Sequence, residues 1–266
     1  MFVMKLQGYV LLMVAMLYAE GVMGQTTIRP KQIDYSMRGI LYKQEKTFDI
    51  QLHTNGMALG YNAGTIKKYY LTRFYHLDLG LVKHPKEYRQ SVNYQGGNFL
   101  LKSSSAFAYG KQNSLLVFRA GIGEKRYFSE KARRKGVAVG LTYQGGIILG
   151  LLKPYYLNLN KTGPNGEGVI VAERYSEENH DEFLDINRIY GAASFFKGFD
   201  EIKIRPGIQG KVAAHFGLGA YEQFVRALEV GIMFDLFFQR VPVMIIEDNQ
   251  PLFLNVFITL QLGKRK

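Results

Sequence analysis

The stretch Leu252-Phe253-Leu254-Asn255-Val256-Phe257-Ile258-Thr259-Leu260-Gln261-Leu262 decides the fold. Leu252, Leu254, Val256, Ile258, Leu260 and Leu262 fall on one face, and Asn255, Thr259 and Gln261 on the other. Side chains alternate across a β-strand, so a period of two marks a strand with one apolar and one polar face. The pattern recurs upstream. Leu228, Val230, Ile232, Phe234, Leu236 and Phe238 alternate with Glu229, Gly231, Asp235 and Gln239. Val137, Val139, Leu141, Tyr143, Ile147, Leu149 and Leu151 alternate with Ala138, Gly140, Thr142, Gln144, Gly146 and Gly150. Leu71, Tyr75, Leu77, Leu79 and Leu81 oppose Thr72, His76, Asp78 and Gly80. Leu116, Phe118, Ala120 and Ile122 oppose Arg119, Gly121 and Gly123, and a weaker run covers 207–219.

Strand length separates the candidate folds. Strands of soluble proteins average about five or six residues, whereas tilted strands that cross a bilayer need about 9–11. Several of these runs are longer than ten residues. Their polar faces carry charges and glycines, as a polar lumen behind a lipid-facing wall would. The expected fold is all-β, an antiparallel transmembrane β-barrel of about 8 to 10 strands. The competing fold is a soluble sandwich or lipocalin-like barrel with one solvated face.

Strands are predicted over 67–83, 114–128, 136–159, 207–219, 225–243 and 251–264. Two places are ambiguous. The apolar face is even-numbered at Phe48, Ile50 and Leu52 but odd-numbered at Met57, Leu59 and Tyr61. An Asn55-Gly56 hairpin pairing Leu52 with Leu59 explains the switch, and so does a β-bulge in one long strand. Val169-Ile170-Val171 and Arg188 to Phe196 are short strand candidates. The segments His84 to Gln112 and Lys161 to Asp185 are long and polar. Aromatic residues at Tyr69-Tyr70, Tyr127-Phe128, Tyr155-Tyr156, Tyr221 and Phe224 fall near strand ends, where a membrane interface would hold them.

The chain has 266 residues, no Cys and no Trp, which excludes disulfide scaffolds, thiolate zinc sites and iron–sulfur clusters. Residues 1–24 carry Lys5, an apolar stretch from Tyr9 to Ala19, and Val22-Met23-Gly24, the parts of a secretory signal peptide. Removing that segment takes away one Lys and one Glu and leaves the net charge at +12. Export from the cytoplasm weakens nucleic acid as the reason for that charge. Residues 25–44 form a polar, basic N-terminal segment, and 45–266 the barrel domain.

No close metal-binding or nucleophile motif is present. Glu177-Glu178-Asn179-His180-Asp181-Glu182 is acidic but lacks the spacing and glycine of a calcium loop. His76, Asp78, Arg119, Gln144, Lys211, His215, Glu229 and Asp235 are expected to share a polar network in the lumen. His76 beside Asp78 also has the parts of a catalytic unit, but small barrels fill their interiors with side chains, so a structural network is the expectation. No catalytic, cofactor-binding or metal-binding set is assigned. Glu130-Lys131-Ala132-Arg133-Arg134-Lys135-Gly136 is the densest charge run, read as a contact with lipid phosphates or as a solubilising turn.

From about Phe48 to Leu262 the chain resembles the outer-membrane β-barrel proteins of Gram-negative bacteria. The segments His84-Pro85-Lys86-Glu87-Tyr88-Arg89-Gln90, Gly150-Leu151-Leu152-Lys153-Pro154-Tyr155-Tyr156 and Glu173-Arg174-Tyr175-Ser176-Glu177-Glu178 look like those of an uncharacterised Bacteroidota barrel family. The resemblance implies localisation in the cell outer membrane and contact with its lipid. The expected role is a non-catalytic structural or interaction subunit of an envelope assembly, with protein partners at 84–112 and 161–185. The alternatives are a small passive channel for polar solutes and a barrel-mouth hydrolase.

Overall fold

The structure, a computed structural model, describes residues 42–68, 70–91, 105–128, 137–162, 167–218 and 223–266. The signal-peptide reading of 1–24, the segment 25–41, the basic run Glu130–Gly136 and parts of the segments 84–112 and 161–185 lie outside the described residues. Residues Tyr42–Lys266 form one compact unit.

Eight antiparallel strands close into a barrel. They are β1 (Gln44–His53), β2 (Gly56–Lys68), β3 (Leu71–Val82), β6 (Asn113–Tyr127), β7 (Ala138–Pro154), β11 (Lys203–Gly217), β12 (Phe224–Phe237) and β13 (Leu252–Arg265). Each pairs with the next in the chain, and β1 with β13 closes the ring from Glu45–Arg265 to His53–Phe257. The strand ends Lys68 and Leu71, Tyr127 and Ala138, and Gly217 and Phe224 lie at the same end as both termini of the barrel, here the terminal end. The two-residue turn after β1 and the strand ends Val82 and Asn113, Pro154 and Lys203, and Phe237 and Leu252 lie at the other, the loop end.

The hairpin resolves the first ambiguity, with a different register from the expected one. Leu52 pairs with Met57, Ile50 with Leu59 and Phe48 with Tyr61, so the turn residues are Thr54 and Asn55. Gly56 sits just after the turn at φ +153°, and a Cβ there would lie 1.9 Å from the Leu81 carbonyl oxygen. That position accepts only glycine. The second ambiguity resolves outside the barrel. The predicted strand 136–159 splits at Tyr155, and β8 (Tyr156–Thr162) leaves the wall to join β9 (Gly168–Arg174) and β10 (Ile189–Ala192) in a three-stranded sheet ordered β10-β8-β9. A short α1 (His180–Leu184) and a two-residue pair, β4 (Arg89–Gln90) with β5 (Phe107–Ala108), complete the cap. Phe107, Leu157, Leu159, Phe183 and Ile189 form its small buried core.

The alternation seen in the sequence separates the two faces of the barrel wall. β1 is buried at every odd position from Glu45 to His53 and exposed at every even one. Outward Phe48, Ile50, Leu59, Leu77, Leu79, Ile147, Ile232, Leu254 and Val256 are each at least 42% exposed. A belt of apolar side chains therefore faces outward, while the inward face carries the polar residues.

Near the loop end the inward face also turns apolar. Val82, Leu115, Val117, Ile148, Leu152, Phe237 and Phe253 pack with Val241, Val243 and Met244, which fold in from 238–251. Asn249 holds that segment, its Oδ1 accepting from the Val243 and Met244 amides at 2.8 and 3.1 Å. Doubled apolar runs such as Leu115-Leu116-Val117-Phe118 supply both faces at this level.

Candidate functional site

Inward parity brings most of the expected polar residues together. Arg119 on β6 is fully buried. Its Nε and Nη2 donate to Asp235 on β12 at 3.0 and 2.6 Å, and its Nη1 donates to Asp78 on β3 at 2.9 Å. Lys211 on β11 reaches Asp78 Oδ2 at 2.6 Å and Gln51 Oε1 at 2.9 Å. His76 stands 2.8 Å from the same Asp78 oxygen and 2.5 Å from Asn62 Oδ1. A fork of two nitrogens to one carboxylate fixes geometry as well as charge. Arg119 and Lys211 thus meet Asp78 and Asp235 as buried opposite charges, the pairing that such burial requires.

His215 and Glu229 form a second cluster. His215 Nδ1 lies 2.8 Å from Glu229 Oε1, which also accepts from Thr142 Oγ1 at 2.8 Å. Tyr127 Oη closes the group at 3.1 Å from His215 Nε2. Tyr127 therefore turns into the lumen rather than toward a membrane interface. Tyr155 packs against the cap core, while Phe128 and Phe224 do face outward. Tyr69 and Tyr221 lie outside the described residues.

Gln144 does not join either cluster. Its Nε2 has no hydrogen-bond partner among the described residues, and neither amide atom of Gln209 has one. Both residues lie behind a notch in the wall.

The network is larger than the eight expected residues. Lys125 donates to Glu45 at 2.9 Å and to Gln261 at 3.2 Å, and Arg265 donates to Glu45 at 2.7 Å. Asn62 and Gln261 both donate to Asp49 Oδ2, at 2.7 and 3.1 Å. The signal for these residues was present in the sequence. Once Phe48, Ile50 and Leu52 face outward, Glu45, Asp49 and Gln51 must face inward.

Little space remains inside. Two cavities within this network, one beside His76 and Glu229 and one beside Glu45 and Lys125, hold about 10 Å³ each. Such a volume admits about one water. The His76–Asp78 pair consequently has no room for a substrate beside it. No group of three or more metal-binding side chains occurs among the described residues. Within the acidic run 177–182, Glu182 meets Lys161 at 3.0 Å and Arg188 at 3.1 Å.

In the cap, burial at Lys111 pulls its ammonium below the ordinary lysine value, and Glu87 at 2.7 Å opposes that shift. β9 lies at the edge of the three-stranded sheet. Its Val169, Ile170 and Val171 are 44%, 49% and 36% exposed, so apolar groups stand on both of its faces. Nearby, Phe195, Phe196 and Phe199 form an exposed aromatic cluster with ring centroids 5.7–6.3 Å apart.

The chain matches no protein-family model and no curated protein sequence.

Proposed function

We propose that this chain is an integral outer-membrane β-barrel that works as a non-catalytic interaction subunit of an envelope assembly. The observation that carries the reading is edge strand β9, whose apolar Val169, Ile170 and Val171 are exposed on a sheet raised from the loop end. An exposed edge with apolar side chains invites pairing by another chain, and soluble folds usually shield or charge such edges. A partner strand added beside β9 would be recognised through its backbone, with the valines and isoleucine supplying pockets and contact area.

The continuous apolar outer wall supports placement in a membrane, because exposed apolar areas of that extent mark membrane or protein contacts. Termini at the end with the shorter connections fit the outer-membrane arrangement, in which short turns face the periplasm and longer loops face outward. The filled lumen favours a sealed barrel over a solute channel, and an eight-stranded barrel has interior width only for its side chains.

A photo-crosslinker placed at Ile170 tests the partner reading in native membranes. One envelope chain is expected to be captured in stoichiometric amount and lost when Val171→Pro is added to the same chain, because proline cannot continue a strand ladder. Capture that survives the proline, or none from Ile170 at all, overturns the docking role. Leu77→Arg tests the membrane reading separately. In vesicles this outward substitution is expected to destabilise the barrel by about 2–4 kcal/mol, and no loss of stability overturns lipid contact at that wall.

A further inference from the structure

One sector of the outer wall differs from the rest. Outward Tyr75, Ile122, Gly145, Gly210 and Phe234 sit side by side on β3, β6, β7, β11 and β12. The two glycines leave bare backbone between Ile122 and Phe234. A Cβ on Gly145 would meet only the Gln209 carbonyl oxygen, at 3.7 Å, so the space above it is open. The Phe234 ring leans over Gly210, 2.5 Å from where a Cβ would stand. The result is a groove of about 640 Å³, within the range of about 300–1,000 Å³ typical of small-molecule sites.

The next row toward the terminal end carries the wall's unusual polar set. Arg73, Glu124 and Tyr143 are adjacent and outward. Arg73 Nη2 donates to Glu124 Oε1 at 2.7 Å, and Tyr143 Oη donates to Glu124 Oε2 at 2.5 Å. Arg126 stands 4.0 Å from the same carboxylate. Two guanidinium groups thus share one carboxylate, which leaves one positive charge uncompensated. Both arginines are more than half exposed. Behind the groove floor, the buried Gln209 amide has no partner for its oxygen or its nitrogen among the described residues. The groove is apolar on its outer sides, polar at its back and cationic at the end nearest the chain termini.

We propose that this groove binds one acyl chain of an anionic phospholipid from the leaflet at the terminal end. Tyr75, Ile122, Val212 and Phe234 flank the chain, and Arg73 and Arg126 hold the phosphate. The charge complementarity selects a phosphate-bearing head, and guanidinium groups suit phosphate oxygens in paired hydrogen bonds. The proposal rests on the membrane reading of the barrel.

The full chain lacks Trp, so a single introduced Trp reports on one place. Phe234→Trp puts the reporter at the groove, and Ile50→Trp puts it on β1, opposite β7 in the ring. The purified protein in detergent is titrated with phosphatidylglycerol brominated on its acyl chains. Saturable quenching near one lipid per protein is expected at position 234, with weak, non-saturating quenching at position 50. Gly145→Leu, which fills the groove, is expected to weaken the site about tenfold. Arg73→Gln with Arg126→Gln leaves the wall intact and is expected to abolish the preference for brominated phosphatidylglycerol over phosphatidylcholine. Equal quenching at both reporters, or a preference unchanged by the double glutamine variant, overturns the groove proposal. A protein that stays soluble and monodisperse without detergent overturns the membrane reading instead.

Discussion

The lumen is filled in two different ways along the barrel. At the loop end, Val82, Leu115, Val117, Ile148, Leu152 and Phe237 make an apolar plug with the returning segment Val241–Met244. From mid-barrel to the terminal end, Arg119, Lys211, Lys125 and Arg265 face Asp78, Asp235 and Glu45 in an ionic network. The plug is non-directional and tolerates repacking, so it seals the barrel without specifying its register. The ionic tier is directional. A slip of one residue would turn every inward charge out to the wall, so these pairs penalise wrong closures.

The largest expected difference between the tiers follows from removing Arg119. Arg119→Met leaves Asp78 and Asp235 without their guanidinium and should cost about 3–5 kcal/mol, read by denaturant unfolding of the refolded barrel. Asp235→Asn should cost less, because Arg119 keeps Asp78 at 2.9 Å. Equal losses from the two variants would mean that the charges are solvated and the tier is not a closed network.

In the plug, Leu152→Ala should cost about 2–4 kcal/mol from lost burial and a residual cavity. This loss should be indifferent to neutral salt concentrations that leave apolar contacts alone. A salt-dependent loss would join the two tiers into one. Tyr127→Phe should cost about 1 kcal/mol, the value of one hydrogen bond to the His215 ring, measured in the same unfolding series.

The smallest effect concerns Lys111, which bridges to Met244 at the edge of the plug. Burial lowers its folded value, Glu87 opposes this, and the nearby Arg89 and Lys83 add to the lowering. A lysine lowered on folding carries its penalty fully below the folded value, where both states are charged. That penalty is relieved as pH rises toward the ordinary lysine value, because the unfolded chain then binds more protons. The stability difference between the native chain and a Lys111→Met, Glu87→Gln variant should therefore shift in favour of the native chain as pH is raised from 8 toward about 10. A difference that is flat across that interval would show that Lys111 is not desolvated.

Side-chain parity was legible in the sequence because it is a local property of an extended chain. Leu252 to Leu262 and Leu228 to Phe238 assigned their outward and inward faces without reference to any neighbour, and seven of the eight expected lumen residues lie in the two clusters. Local patterning also placed a strand at Val169–Val171, but it could not say which sheet that strand joins. The hairpin register was displaced by two because both registers keep the same residues on the same face, and the choice fell to Gly56 and its contact with Leu81.

Only the tertiary structure decided which charges meet. Arg119 and Asp235 are 116 residues apart, and closure of β1 on β13 together with the stagger of the strands sets them at one level. The same closure turned Tyr127 inward, left Gln144 outside both clusters, and aligned Gly145 with Gly210 in the wall. Parity fixes a face, whereas height along the barrel depends on the register of every strand between two residues. The first is written into each strand, and the second exists only once the ring is closed.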